Sequence, residues 1–152
     1  MSFAFYTVAQ AIAVRFGPTV VSAPSGEDNI AQSTAALPDV ISDEPTVLVF
    51  PPEVQFGYGP SLRKAVATYP VRFYLWNVRD KPRNAALVMN WISALYASID
   101  GQAHLGLSSY VNTATLGTVT PGTLTYGGTE FYGLELSVEV TLSEGLSATG
   151  GA

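Results

Sequence analysis

The chain has no cysteine and only one histidine, His104, among its 152 residues. Without cysteine it can form neither disulfide bonds nor thiolate metal sites, which suits a reducing cytosol or a particle assembled inside one. One histidine leaves little material for a nucleophile–base–acid triad or a zinc site. No G-x-x-x-x-G-K-[ST] motif occurs, and Gly57-Tyr58-Gly59 lacks the third glycine of a dinucleotide fingerprint. We therefore predict no enzymatic activity, no cofactor and no metal site.

The sequence also lacks a membrane-spanning or secretory segment. No stretch approaches the roughly 18 unbroken apolar residues of a transmembrane helix. The first residues carry no basic cluster of the kind that precedes the apolar part of a signal peptide. The expectation is a soluble protein that is made inside the cell and contacts no membrane.

Positive charge is absent after Arg83, and the net charge of the whole chain is −5. This acidity disfavours general binding to nucleic acid, which depends on Lys and Arg. The segregation of charge has two interpretations: chance on solvated faces, or head-to-tail pairing of a basic patch with an acidic patch on the next subunit. The basic group is Arg63, Lys64, Arg72, Arg79, Lys81 and Arg83, and the later acids are Asp100, Glu130, Glu135, Glu139 and Glu144.

The first half of the chain predicts one helix, a long loop and two strands. Apolar residues at helical spacing predict a helix over Ser2 to Phe16, with Ser2 as its N-cap. Residues 17–45 are rich in proline and acids and predict an extended loop, with a short helix over Asp28 to Leu37. Apolar and alternating patterns predict strands over Thr46 to Phe50 and Ala67 to Val78, with Pro70 at the start of the second strand.

The second half predicts a long helix followed by β structure. Asp80 is the candidate N-cap of a helix whose apolar stripe runs from Ala85 to Ile99. Strands are predicted over Leu105 to Val111, Thr113 to Val119, Thr123 to Tyr126 and Glu130 to Leu142, with turns at Pro121-Gly122 and Gly127-Gly128.

These elements predict an α+β fold. An antiparallel or mixed sheet is packed by the N-terminal helix and one long central helix, with a long loop in the N-terminal half. Residues 1–146 form a single domain in this interpretation, and residues 147–152 form a flexible tail.

Two further patterns bear on chemistry. Glu135 and Glu139 lie on one face of the last strand, roughly 13 Å apart, which exceeds the spacing of glycosidase carboxylate pairs. Carboxylates of other strands can still converge, so a small carboxylate-dependent enzyme or ligand-binding domain remains an alternative. Phe73, Tyr74 and Trp76 could stack on nucleic-acid bases, but core packing explains this strand more simply.

The order of these segments resembles the tail terminator family of long-tailed bacteriophages, also called tail completion or head-tail joining proteins. The resemblance rests on the early helix, on the strand VRFYLWNV that leads through Asp80 into Ala85-Ala86-Leu87-Val88, and on the late strand YGLELSVEV from Tyr132 to Val140. It covers most of Ser2 to Leu142.

The resemblance implies a virion protein that assembles in the host cytoplasm as a ring, typically a hexamer. Such a ring caps the tail tube and then docks on the head-tail connector or stopper protein, so the implied partners are other copies, the major tail tube protein and the connector. DNA passes through the lumen without specific binding, and Glu135 and Glu139 are candidates for a lumen or interface face. A tail tube or other neck subunit is an alternative within the phage.

Overall fold

Three long antiparallel strands make up most of the sheet. The computed structural model describes residues 4–58, 62–80, 84–99, 105–107 and 111–145. The elements are α1 (Phe5–Arg15), β1 (Gln32–Thr34), β2 (Thr46–Val49), β3 (Glu53–Tyr58), β4 (Leu62–Asn77), α2 (Ala85–Ile99), β5 (Val111–Tyr126) and β6 (Thr129–Gly145). The sheet has these six strands in the order β1-β2-β4-β6-β5, and β3 pairs with β4 beside β2. Among the described strands only β1 and β2 run parallel, so the sheet is mixed.

The main hydrophobic core lies between the two helices and one face of the sheet. Alternate residues of β4 and β6, such as Val71 and Val138, point into it, because successive side chains of a strand face opposite sides. Val8 and Ile12 of α1 and Trp91 of α2 pack on them. Two helices on a mixed sheet confirm the predicted α+β class, and the predicted alternation of β6 is confirmed residue by residue.

Both helices begin at a different residue from the predicted one. The first begins at Phe5 after Ala4, without a side-chain cap, and Ser2 lies outside the described residues. In α2 the side-chain oxygen of Asn84 accepts a hydrogen bond from the Leu87 N–H at 3.1 Å. Asn84, not Asp80, is therefore the N-cap, because a cap must lie directly before the first helical residue.

The segment between α1 and β2 is not one extended loop. Val21 and Ile30 are buried in the main core, and β1 lies in the stretch for which a short helix was predicted. That helix prediction is wrong because Ala31 to Thr34 continue the sheet: the Ala31 N–H donates to the Pro45 carbonyl, and β1 pairs with β2. Ser33 also donates its hydroxyl proton to the Ala13 carbonyl at 2.6 Å, which joins the segment to α1.

Pro70 lies in the middle of β4 rather than at its start. Along one of its edges, β4 pairs with β3 up to Thr68 and with β2 from Val71 onward. The Pro70 carbonyl accepts from the Phe50 N–H at 2.8 Å, so the missing Pro70 N–H faces this junction and not β6. The proline therefore removes no hydrogen bond between β4 and β6. The strand β3 itself was not predicted.

The last part of the sheet is one hairpin of two long strands. The structure continues β5 through Pro121-Gly122, where a turn was predicted, because an edge strand tolerates a missing N–H. Residues 105–107 form a turn with Leu105 at φ 51°, so the strand predicted from Leu105 is wrong there. The predicted turn at Gly127-Gly128 is confirmed, and both glycines have positive φ, as a tight hairpin requires.

A small second cluster covers one end of the opposite sheet face. Leu48, Tyr74 and Phe131 are buried there beneath Ile41, Phe50 and the β5 residues Leu124 and Tyr126. The Tyr126 hydroxyl donates a hydrogen bond to the Pro38 carbonyl and so holds the segment between β1 and β2 on the sheet. The Tyr74 hydroxyl is buried and has no hydrogen-bond partner among the described residues. Burial raises the pKa of the Tyr74 phenol, and the nearby Arg72 guanidinium partly offsets this rise.

Gly133 is required by a close approach of two strands. A Cβ at this position would overlap the Phe73 carbonyl oxygen, next to a bulge in the pairing of β4 with β6. We expect Gly133→Ala to lower the free energy of unfolding by about 2 kcal/mol or more, because backbone must move. Its cross-strand partner Gly122 has open space at Cβ, so Gly122→Ala should change stability by less than about 1 kcal/mol. Equal losses in urea unfolding would contradict this packing.

The two tyrosines of the second cluster should respond differently to loss of their hydroxyls. Tyr126→Phe removes a hydrogen bond to Pro38 and should cost about 1 kcal/mol. Tyr74→Phe removes a buried hydroxyl without a partner among the described residues, so stability should stay equal or rise. Chemical denaturation of both variants at neutral pH measures the two losses of stability. A larger loss for Tyr74→Phe than for Tyr126→Phe would contradict this assignment of the two hydroxyl groups.

Candidate interaction surfaces

The face of the sheet that points away from the helices is largely polar, and we call it the open face. Its side chains alternate along β4 and β6 with those of the main core. Hydroxyl groups dominate β5 here, where Thr115, Thr118 and Thr120 are exposed. The charged members are Glu53 of β3, Lys64 and Arg72 of β4, and Glu135 and Glu139 of β6.

Arg72 and Glu135 form an ion pair across β4 and β6. The Arg72 Nε lies 3.1 Å from the Glu135 Oε2, and the two residues are direct partners in the strand register. The guanidinium also lies over the Phe50 ring, 5.2 Å from its centroid. Burial lowers the pKa of Arg72, but Tyr74 and Glu135 together outweigh this effect, so the pKa lies above its ordinary value. The pair borders a shallow depression of about 320 Å³ that Pro70, Thr118, Thr120 and Ser137 also line.

The described members of the predicted basic group do not form one compact patch. Lys64 and Arg72 share the open face but are eight residues apart on β4, roughly 26 Å at the usual rise. Arg63 alternates to the other side of the strand, and Arg79 is exposed in the turn after β4. Lys81 and Arg83 lie outside the described residues.

The predicted acidic face exists as a geometric feature, but it is shared with cations. Glu135 and Glu139 are exposed on the open face, beside Arg72 and on the same side as Lys64. Two members of the basic group, Lys64 and Arg72, therefore lie on the same surface as Glu135 and Glu139. Head-to-tail assembly needs two different surfaces, so pairing of these four charges between subunits is not the simple head-to-tail contact that the sequence suggested.

Glu53 is a carboxylate whose position the sequence did not reveal. It begins β3 and pairs with Thr68, which pairs on its other side with Glu139. Two strand spacings separate Glu53 from Glu139, roughly 10 Å between backbones. In the short sequence EVQFGY polar or small residues alternate with apolar ones, and this alternation is the signal that could have predicted the strand.

Metal-binding groups can be assessed only within the described ranges. In residues 4–58, 62–80, 84–99, 105–107 and 111–145, no three His, Cys, Asp or Glu side chains come together in a way that could hold a metal ion. His104 lies outside these ranges.

Comparison with known proteins gives no further assignment: no protein-family model matches the chain, and no curated protein matches it.

The Arg72–Glu135 pair should be weak and sensitive to salt, since both side chains are partly exposed. Glu135→Gln should lower the free energy of unfolding by no more than about 1 kcal/mol at low ionic strength, and the loss should shrink toward zero near 1 M salt. Glu139→Gln is the matched control on the same face and should not lower stability. A loss at Glu135 that salt leaves unchanged would mean that the interaction is not chiefly electrostatic.

Proposed function

We propose that this chain is a structural virion protein, a tail terminator whose copies form a ring that caps the phage tail tube and joins it to the head connector. One observation carries the proposal: the sheet has two different edges, β5 on one side and β1 with β3 on the other. A head-to-tail contact joins two different surfaces of one subunit, and repetition at a suitable rotation closes a ring. Sheet extension from β5 to the opposite edge of the next copy is such a contact.

The sequence of β5 supports this role of its outer edge. None of its 16 residues is charged, although edge strands of monomeric proteins are commonly protected by charges. Pro121 and the register shifts between Val111 and Thr113 and between Leu116 and Val119 interrupt regular pairing along the strand. The stretch Thr113 to Leu116 pairs in regular register and contains neither charge nor proline, so it is the part of the edge that we assign to the contact.

The open face supports a place at the lumen of this ring. Glu53, Glu135 and Glu139 would repel DNA phosphates and outnumber Lys64 and Arg72, the cations of this face, and Glu135 already neutralises Arg72. DNA would then move through with little anchoring, because phosphate-anchored binding depends on cations and acids outnumber cations among the described residues of this face. In this arrangement the N-terminal helix and the long central helix lie on the outer side, and β1, within segment 17–45, lies at the edge that receives β5. The axial ends of the ring would contact the tail tube protein and the connector.

A ring test begins with the full chain, alone and mixed with phage tail tubes. Particle mass and negative-stain images should show closed rings, with the hexamer as the expected form. Thr115→Lys places a charge on the proposed contact stretch and should abolish rings, whereas Thr125→Lys, beyond Pro121 on the same strand, should keep them.

Three outcomes would each contradict a part of this proposal. A chain that stays monomeric with tail tubes contradicts the function itself. Open filaments instead of rings favour a tail tube subunit, because a head-to-tail contact that does not close grows without limit. Equal assembly of Thr115→Lys and the unsubstituted protein removes β5 from the contact.

The row Glu53–Thr68–Glu139 keeps an enzyme or ligand-binding domain as the second candidate, since its backbone separation of roughly 10 Å is close to the carboxylate spacing of inverting glycosidases, about 6.5–9.5 Å. Ligand-induced changes in melting temperature test it. No response to sugars, nucleotides or divalent metals removes its support.

A further inference from the structure

The outward surface of α1 and α2, which we call the helical layer, is a second feature that the ring proposal does not use. Both helices pack on the face of the sheet opposite the open face. Their C-terminal ends are joined directly, because the Arg15 guanidinium donates two hydrogen bonds to the Ser98 carbonyl, at 3.1 and 2.6 Å. Tyr6, Gln10 and Val14 of α1 and Met89, Asn90 and Tyr96 of α2 are exposed on this layer.

The helical layer carries almost no charge. The 11 residues of α1 and the 15 residues of α2 include one charged side chain, Arg15, and its guanidinium is engaged by Ser98. Over the whole chain 12% of the residues are charged, so two helices of 11 and 15 residues would carry about three charges at that fraction. Exposed positions of surface helices normally carry most of these charges. Solvation of a free monomer does not explain their loss.

Large apolar side chains replace the missing charges. Tyr6, Val14, Met89 and Tyr96 are 57%, 60%, 60% and 58% exposed. On α2 the residues Ala85, Met89, Ile92 and Tyr96 recur at spacings of four, three and four, which aligns them along one flank of the helix. This stripe lies beside the buried stripe of Val88, Trp91 and Leu95, and its member Ile92 also packs partly against the main core. Met89 and Tyr96 form the part of it that the sheet does not cover.

The geometry points to a second copy of this chain as the occupant of the helical layer. Two copies carry a net charge of −5 each, so they repel at faces where acids are exposed. At the helical layer no like charges meet. The polar groups there are self-complementary as well, because the amides of Gln10 and Asn90 both donate and accept hydrogen bonds. A two-fold contact places the same surface on both subunits and requires this property.

A bilayer is the competing occupant of an apolar helical surface. Neither described helix has the length and hydropathy that crossing a membrane requires, but a surface could still lie on lipid. The two occupants differ in a measurable way, since a lipid surface captures the monomer and a second copy changes the mass of the protein in free solution.

Sedimentation of the full chain over a range of protein concentrations tests the inference. We expect a reversible dimer whose dissociation constant changes little between about 0.05 and about 0.5 M salt, because no charges meet in the contact. Met89→Glu and Gln10→Glu should each raise that constant by about tenfold or more, since two copies would bury like charges. Met89→Leu should leave it within about twofold, and Asn29→Glu, on an exposed position outside the helices, is the matched charge control.

Each outcome either supports or overturns the proposed contact between two helical layers. Circular dichroism and a melting curve establish that the variants fold. A folded Met89→Glu variant that dimerises like the unsubstituted protein overturns the inference, and so does a dimer that dissociates with rising salt. A chain that stays monomeric in solution but binds phosphatidylcholine vesicles through Met89 assigns the layer to lipid instead. Rings and dimers are separable, because Thr115→Lys blocks the β5 edge and leaves the helical layer unchanged.

Discussion

The pairing of β4 with β6 is the interaction on which the rest of the structure depends. The two strands pair antiparallel from Leu62 with Gly145 to Asn77 with Phe131, interrupted only by a bulge near Tyr74. Because side chains alternate along both strands, this single ladder defines two faces. One face is apolar and is covered by the helices, while the other is polar and open over most of its length. The open face and the helical layer are both consequences of this division.

The division also changes what the charge distribution means. In the sequence six of the seven bases lie between Arg63 and Arg83 and five acids follow them without another base, and this order suggested two separate surfaces. Antiparallel pairing brings the end of the chain back along β4, so Arg72 meets Glu135 within one subunit. Pairing within one subunit therefore neutralises part of the charge that was expected to act between subunits. Assembly is better explained by the edges of the sheet, where backbone groups rather than side-chain charges make the contact.

The sequence predicted the features that depend on local interactions and missed those that depend on contacts between segments distant in sequence. The alternation of β6, the body of α2 and the Gly127-Gly128 turn follow from local patterns, and these patterns were sufficient. The positions of Pro70 and Pro121 were misjudged because a proline is tolerated or not according to which neighbour its missing N–H faces. That neighbour is fixed by pairing between strands distant in sequence. The same holds for Glu53, whose strand exists only because β4 lies beside it.

Hydrogen exchange of the β5 backbone amides tests the central claim most directly, when it is measured in the assembled particle and in the dissociated chain. Amides at a free strand edge exchange readily, whereas those paired with another strand are protected. The account predicts that amides of Thr113 to Leu116 that point away from β6 become protected on assembly, while the end of the strand, Thr123 to Tyr126, changes little. Assembly without new protection in Thr113 to Leu116 would contradict it.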